Sequence, residues 1–217
     1  MQFLLTPSIN APGITLPWRC HPRWPALVIT VAGLVLAGFA RLATGAEQFD
    51  VDAARKGDLI EVHARATITA PLAVVWATLT DYERLPEFIP GLKRSRIVAR
   101  NGATTTVEQS GEARFLFLSV PIDVTLESTE RPPNIEVRRV GGSLRHLQGR
   151  YETEVMADPA QVQLRWIGSI APESDLPLLI GETLVRLLIG EQFAGMVREI
   201  ERREAARRAA LPPPVSK

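Results

Sequence analysis

Cysteine is almost missing from this chain of 217 residues: Cys20 is the only one, and it sits near the N-terminus. The bulk of the chain therefore has no disulfide and no thiolate nucleophile, and its stability must come from an apolar core. Histidine is nearly as scarce. Beyond His21 there are only His63 and His146, far apart in sequence, which leaves a zinc or iron site without its usual ligands. No His-Glu-x-x-His, no Gly-x-Ser-x-Gly and no phosphate-binding Gly-rich loop occurs. No apolar run reaches the roughly 20 residues of a bilayer span; the longest, Ala26–Ala40, has 15. Net charge is also lacking, at +1, so there is no electrostatic basis for nucleic-acid binding.

What is present begins with a leader. Arg19, His21 and Arg23 precede the apolar run, and Ala43-Thr44-Gly45-Ala46 then supplies small residues of the kind a signal peptidase needs. Residues 1–46 are read as a signal peptide cleaved near Ala46, or as an uncleaved membrane anchor through residues 26–40. The first places the protein in the bacterial periplasm, the second on the inner membrane with the domain outside the cytoplasm. Residues 47–57 read as a short linker, 58–205 as one domain and 206–217, with Pro212-Pro213-Pro214, as a disordered tail.

The domain opens with a strand. Ile60, Val62, Ala64, Ala66 and Ile68 alternate with polar residues, giving one apolar face and one wet face. The period then changes. Thr69 suits a helix cap and Pro71 a first turn, and Leu72, Val75, Trp76 and Leu79 recur at helical spacing. Pro86, Pro90 and Gly91 break that helix, and a second strand runs from Leu92 to Arg100. Turn signals at Asn101-Gly102, Arg131-Pro132-Pro133-Asn134, Gly141-Gly142 and Asp158-Pro159 divide the rest into an antiparallel meander. Pro121 marks an edge position or a bulge. From about Leu176 to Arg208 the pattern is helical. Its first half is apolar almost all round. The stripe Ile180–Leu184–Leu187–Leu188 falls out of phase with Phe193–Met196–Ile200, with Gly190 between them, which predicts a bend or a helix packed on two sides.

Ala70-Pro71, Val75-Trp76, Leu79, Asp81-Tyr82, Pro86, Phe88-Ile89-Pro90 and Ser95-Arg96-Ile97-Val98 resemble the START-like polyketide cyclase/dehydrase superfamily, including its coenzyme Q-binding branch. The resemblance extends, more weakly, to about Arg203. It implies an α+β helix-grip fold: a curved antiparallel sheet of six to seven strands around a long C-terminal helix, with short helices after the first strand. It further implies an internal cavity for an apolar small molecule such as a lipid, quinone or polyketide.

Phe88, Trp166, Leu184, Leu188, Phe193 and Met196 are the expected cavity-lining residues. A hydrophobic small molecule is the expected partner, and nucleic acid is not. The protein is expected to act as a monomer, with no metal, no cofactor and no catalytic residue. The alternative is an aromatase/cyclase- or dehydratase-type enzyme on the same fold. That reading needs convergent polar groups in the pocket, for which His146, Asp123 and Tyr151 are the available set.

Overall fold

The computed structural model describes residues 49–115, 118–172 and 178–212. The leader and residues 213–217 lie outside them, as do the readings placed there, while residues 206–209, expected to belong to a disordered tail, continue the last helix. Among the described residues there are eight strands: β1 (Phe49–Lys56), β2 (Leu59–Ile68), β3 (Leu92–Asn101), β4 (Thr104–Phe115), β5 (Leu118–Arg131), β6 (Asn134–Gly142), β7 (Leu144–Val155) and β8 (Val162–Pro172). Helix α1 (Leu72–Leu79) and a 3-10 helix (Tyr82–Glu87) separate β2 from β3, and α2 (Leu178–Ala209) ends the fold. The strands form one antiparallel sheet in the order β1-β2-β8-β7-β6-β5-β4-β3. The fold is the expected α+β helix-grip, with more strands than the six to seven foreseen. None of the described helices is long and apolar enough to cross a membrane.

The additional strand is β1, in the stretch expected to be a linker. It pairs with β2 along its whole length, Phe49 opposite Ala66 through Lys56 opposite Leu59. Its inward residues, Val51 and Ala53, are few and small among charges, so the alternation is faint in the sequence. They pack with Ile60, Val62, Ile170, Val185 and Ile189 into a small cluster that covers the first half of α2. The backbone N–H of Arg55 also donates to Glu182 of α2, at 3.3 Å. Glu182, which could have paired with Arg186 along the helix, instead ties the edge strand to α2.

That covering explains the apolar first half of α2, where Leu184 is buried beside Val185 and the helix is covered on more than one side, one of the two expected arrangements. At about 100° per residue, Val185, Ile189, Phe193, Met196 and Ile200 fall within one arc of about 80°. All but the partly buried Ile189 are buried, and the helix runs unbroken through Gly190. Leu187, assigned to the other stripe, is 43% exposed. At α1 the cap position falls to Pro71 rather than Thr69, with no side-chain cap bond. The Pro71 carbonyl accepts from the Val74 and Val75 amides, at 2.9 and 3.2 Å.

The main core lies toward the C-terminal half of α2. Ile68, Val75, Leu79, Val162, Leu164, Val197 and Ile200 meet there with almost no exposed surface. Register shifts occur at Thr125/Leu126 in β5 and Leu144/His146 in β7, and bulges of this kind kink strands and raise their twist. Gly142 adopts φ +97° there, and a Cβ on it would lie 2.1 Å from the Asp123 carbonyl oxygen, so only glycine fits. The β6–β7 ladder runs from Asn134/Glu152 to Arg138/Gln148, while β6 stays with β5 as far as Gly142. At Pro121, β5 is paired only with β4, on its other side from β6, which agrees with an edge role for that residue.

Arginine–carboxylate pairs fix α2 to the α1 end. Arg203 Nη2 donates to Asp81 at 2.8 Å, and its Nε donates to Glu199 at 2.7 Å. Arg202 grips Glu199 through two further bonds of 2.7 and 2.8 Å. The Arg202 hydrogen bonds, aided by Arg203, hold the Glu199 carboxyl at about 2, below its ordinary 4.5. A depressed carboxylate pKa gives stability that is complete above about 4.5 and lost as pH falls toward 2. We expect the melting temperature to drop through that window, and to drop less steeply in Glu199→Gln. Parallel acid limbs for the two proteins, measured by circular dichroism, would refute this.

Candidate functional site

A cavity of about 640 Å³ lies between α2 and the inner face of strands β4, β5, β7 and β8. This is the size usual for a small-molecule site. Its sheet wall is built from inward positions of successive strands: Val107 on β4, Ile122, Val124 and Leu126 on β5, Leu147 and Tyr151 on β7, Trp166 and Ile170 on β8. Helix α2 contributes Val185, Leu188, Ile189 and Met196, and the segment after the 3-10 helix closes one side with Ile89, Pro90 and Leu92.

The charged lining residues are gathered where the space opens. Lys93 and Arg114 are largely exposed, and both pair with Glu112, the lysine at 3.0 Å. Ser119 Oγ also donates to Glu112, at 3.0 Å. Lys93, Ser119 and Arg114 together hold the Glu112 carboxyl below its usual value. Glu191 and Gln192, exposed on α2, complete this polar side.

Two tyrosines face the interior. Tyr82 Oη donates to Glu130 Oε1 at 3.0 Å, and the Ser128 hydroxyl bonds Tyr82 in turn. Thr105 Oγ1 donates to the same Glu130 oxygen at 3.2 Å. Burial first, and the Glu130 charge second, push the Tyr82 phenol well above its ordinary range. Tyr151 stands beside Trp166, ring centroids 4.6 Å apart and tilted by 49°. Burial alone pushes its phenol up to about 12. The Trp166 indole lies across two facing glycines, Gly149 and Gly168, paired in the β7–β8 ladder. A Cβ at either would come within 2.6 or 2.8 Å of the ring, so glycine at both positions makes room for the indole.

Of the six expected wall residues, Trp166, Leu188 and Met196 line the cavity. Phe88, Leu184 and Phe193 do not. The Phe88 ring carries the Arg203 guanidinium 5.5 Å from its centroid, and Phe193 is 3% exposed within the solid core. Leu184 is buried outside the cavity wall. For Leu184 and Phe193, helical spacing shows that a residue is buried but not whether it meets a neighbour or a void.

The set His146, Asp123 and Tyr151 is not brought together. His146 Nε2 lies 2.9 Å from Ser169 Oγ on the outer face of the sheet, beside a polar groove that includes Gln148 and Arg150. Asp123 is exposed on the outer face, since its neighbours Ile122 and Val124 point inward. Only Tyr151 enters the cavity. The group formed by Tyr82, Ser128, Thr105 and Glu130 was not anticipated. The signal was available: Ser128 and Glu130 continue the inward series Ile122, Val124, Leu126 as polar residues on an apolar face. Among the described residues no cluster of side chains fits a metal ion.

This geometry has counterparts. The model of the family described as polyketide cyclase / dehydrase and lipid transport matches residues 68–199. No protein of curated function matches the sequence. Among solved structures, a Zhui aromatase/cyclase from a Streptomyces species superposes with a TM-score of 0.59 at 14% identity, over 70% of this chain and 97% of its own. A STAR-related lipid transfer protein from Xanthomonas axonopodis gives 0.59 at 13% identity, over 73% and 96%. Human STARD10 gives 0.55 at 10% identity, over 76% and 77%. At such identities these likenesses speak for the fold alone, and the helix-grip arrangement is common to them. With its family model matched from Ile68 at the end of β2 to Glu199 on α2, the chain belongs to the polyketide cyclase / dehydrase and lipid transport family.

Proposed function

We propose that the protein binds and carries an apolar small molecule, of lipid, quinone or polyketide type, in the cavity between α2 and the sheet. One observation carries this reading: about 640 Å³ of space, walled mainly by aliphatic and aromatic side chains, opens beside a solid core. Binding would draw on burial, worth about 0.8 kcal/mol for each CH₂ taken out of water, with few polar contacts to orient the guest. The family description and the lipid-transfer likeness agree with it. An aromatase/cyclase reading has a similar fold in its favour. It lacks the convergence it asked for, since His146 and Asp123 face outward.

The leader extends the proposal: export through residues 1–46, with the domain working as a monomer in the periplasm or tethered to the inner membrane. Native mass spectrometry of the protein purified from the envelope tests these points together. The expected spectrum shows one chain beginning near Glu47 and carrying an extra apolar mass that organic solvent removes. A chain that retains residues 1–46 would favour the anchor over cleavage. Protein that never carries or takes up an apolar molecule would end the carrier reading.

A further inference from the structure

Resting on the proposed carrier reading, a finer statement about the guest follows from the two cavity tyrosines. Tyr82 is satisfied within the protein, donating to Glu130 and bonded by Ser128. Tyr151 is not: among the described residues none makes a hydrogen bond to its hydroxyl, and its ring is partly buried in the cavity wall with the hydroxyl open to the space. An apolar guest filling the cavity would cut that hydroxyl off from water, and buried polar groups are nearly always paired. Phenylalanine would pack against Trp166 and Ile135 equally well without that burden. The hydroxyl therefore has a use when the space is filled.

Its surroundings define that use. In the β-ladders, Ile135 on β6 stands opposite Tyr151, and Glu130 on β5 opposite Ile135, so an apolar side chain separates Tyr151 from the satisfied group. The strand spacing of about 4.8 Å sets Glu130 and Tyr151 roughly 10 Å apart along the sheet, beyond direct bonding. Beside Tyr151, the indole held down on Gly149 and Gly168 supplies a flat aromatic wall. A phenol that remains protonated throughout the physiological range acts as a donor, and its natural partner is a carbonyl oxygen.

We infer that Tyr151 donates its hydroxyl hydrogen to an oxygen of the bound guest, so that the cavity selects an apolar molecule with a carbonyl-class oxygen on a flat ring lying against Trp166. The oxygen sits at the inner end near Tyr151, and the apolar remainder runs past Leu147 and Leu188 toward the opening.

Two probes of nearly the same shape test this: 2-acetylnaphthalene, which carries the carbonyl, and 2-ethylnaphthalene, which does not. Their affinities for the wild-type chain and for Tyr151→Phe are measured by calorimetry. The ketone-to-hydrocarbon affinity ratio should fall about fivefold or more in Tyr151→Phe, the usual net worth of one hydrogen bond, while hydrocarbon binding stays unchanged. The urea midpoint of Tyr151→Phe should equal or exceed that of the wild type. An unchanged ratio with both probes still bound overturns the inference and leaves the carrier reading standing. A lowered midpoint shows that the hydroxyl already serves the fold, and also overturns it. Failure of both probes to bind the wild type overturns the carrier reading and this inference with it.

Discussion

Gly195→Ala is expected to destabilise the protein, and Gly190→Ala, little more than one turn earlier on the same helix, to stabilise it. In an ordinary helix interior, alanine for glycine adds about 0.5–1 kcal/mol by removing backbone freedom from the unfolded chain. Gly190 is such a site, because an added Cβ would meet only Val51 Cγ2, at 3.8 Å. At Gly195 the same atom would lie 2.5 Å from the Phe88 carbonyl oxygen and 2.8 Å from Pro90 Cδ. The nearest of these is backbone, so it cannot be turned aside as the end of a flexible side chain can. Overpacking of this kind costs about 1–3 kcal/mol, more than the propensity gain. Gly195→Val adds bulk without the helical preference of alanine, and should cost about 3 kcal/mol or more. For a domain of this size that lowers the melting temperature by roughly 6–12 °C. The segment pushed away by the new side chain supplies Ile89, Pro90 and Leu92 to the cavity wall, so affinity should fall as well. A Gly195→Val protein that melts with the wild type would mean that α2 does not rest on this segment.

The contrast between these glycines also shows how far the sequence could be read. The β2–α1 passage was legible because its apolar spacing changes from period two to helical spacing within a few residues, at Ile68-Thr69-Ala70-Pro71. The meander was legible from its turns, since Asn101-Gly102 and Pro132-Pro133 do separate strands. Strand β1 was not, because Val51 and Ala53 make too short a stripe among Asp50, Asp52 and Arg55. Missing β1 had a consequence on α2. Without a surface to cover Val185 and Ile189, the apolar spacing alone draws Leu187, which is exposed, into the stripe of Leu184 and Leu188 and points to a change of phase at Gly190. Gly195, the glycine that is needed, carries no local sign, because its reason lies in the backbone of Phe88, distant in sequence. The cavity was hidden in the same way. The register shifts in its wall strands, at Thr125/Leu126 and Leu144/His146, have Gly141-Gly142 beside them, and a Gly-Gly pair reads in sequence as a turn rather than as a bulge. Burial of Leu184 and Phe193 was therefore foreseeable, while the side of the void on which each falls was not.

A tryptophan at Leu188 should separate binding from stability in opposite directions. Leu188 borders the cavity from α2, and Leu187 beside it is 43% exposed. With a long-chain alcohol as probe, an indole projecting into the space would exclude part of the chain. Each methylene kept out of the protein forfeits about 0.8 kcal/mol, so three cost about 2.4 kcal/mol, or roughly fiftyfold in affinity. The folded protein should not suffer in proportion. Packing losses arise where a larger side chain has no room, and here room exists; filling a void restores contacts that its lining lacks. The denaturation midpoint of Leu188→Trp should therefore hold or rise while binding falls, and Leu187→Trp should leave affinity unchanged. If α2 and the sheet met in solid contact, Leu188→Trp would overpack the interior, cost about 1–3 kcal/mol of stability and lower the midpoint accordingly. The sign of that stability change, read beside the binding isotherm, thus decides between a hollow that receives a guest and a core with no space for one.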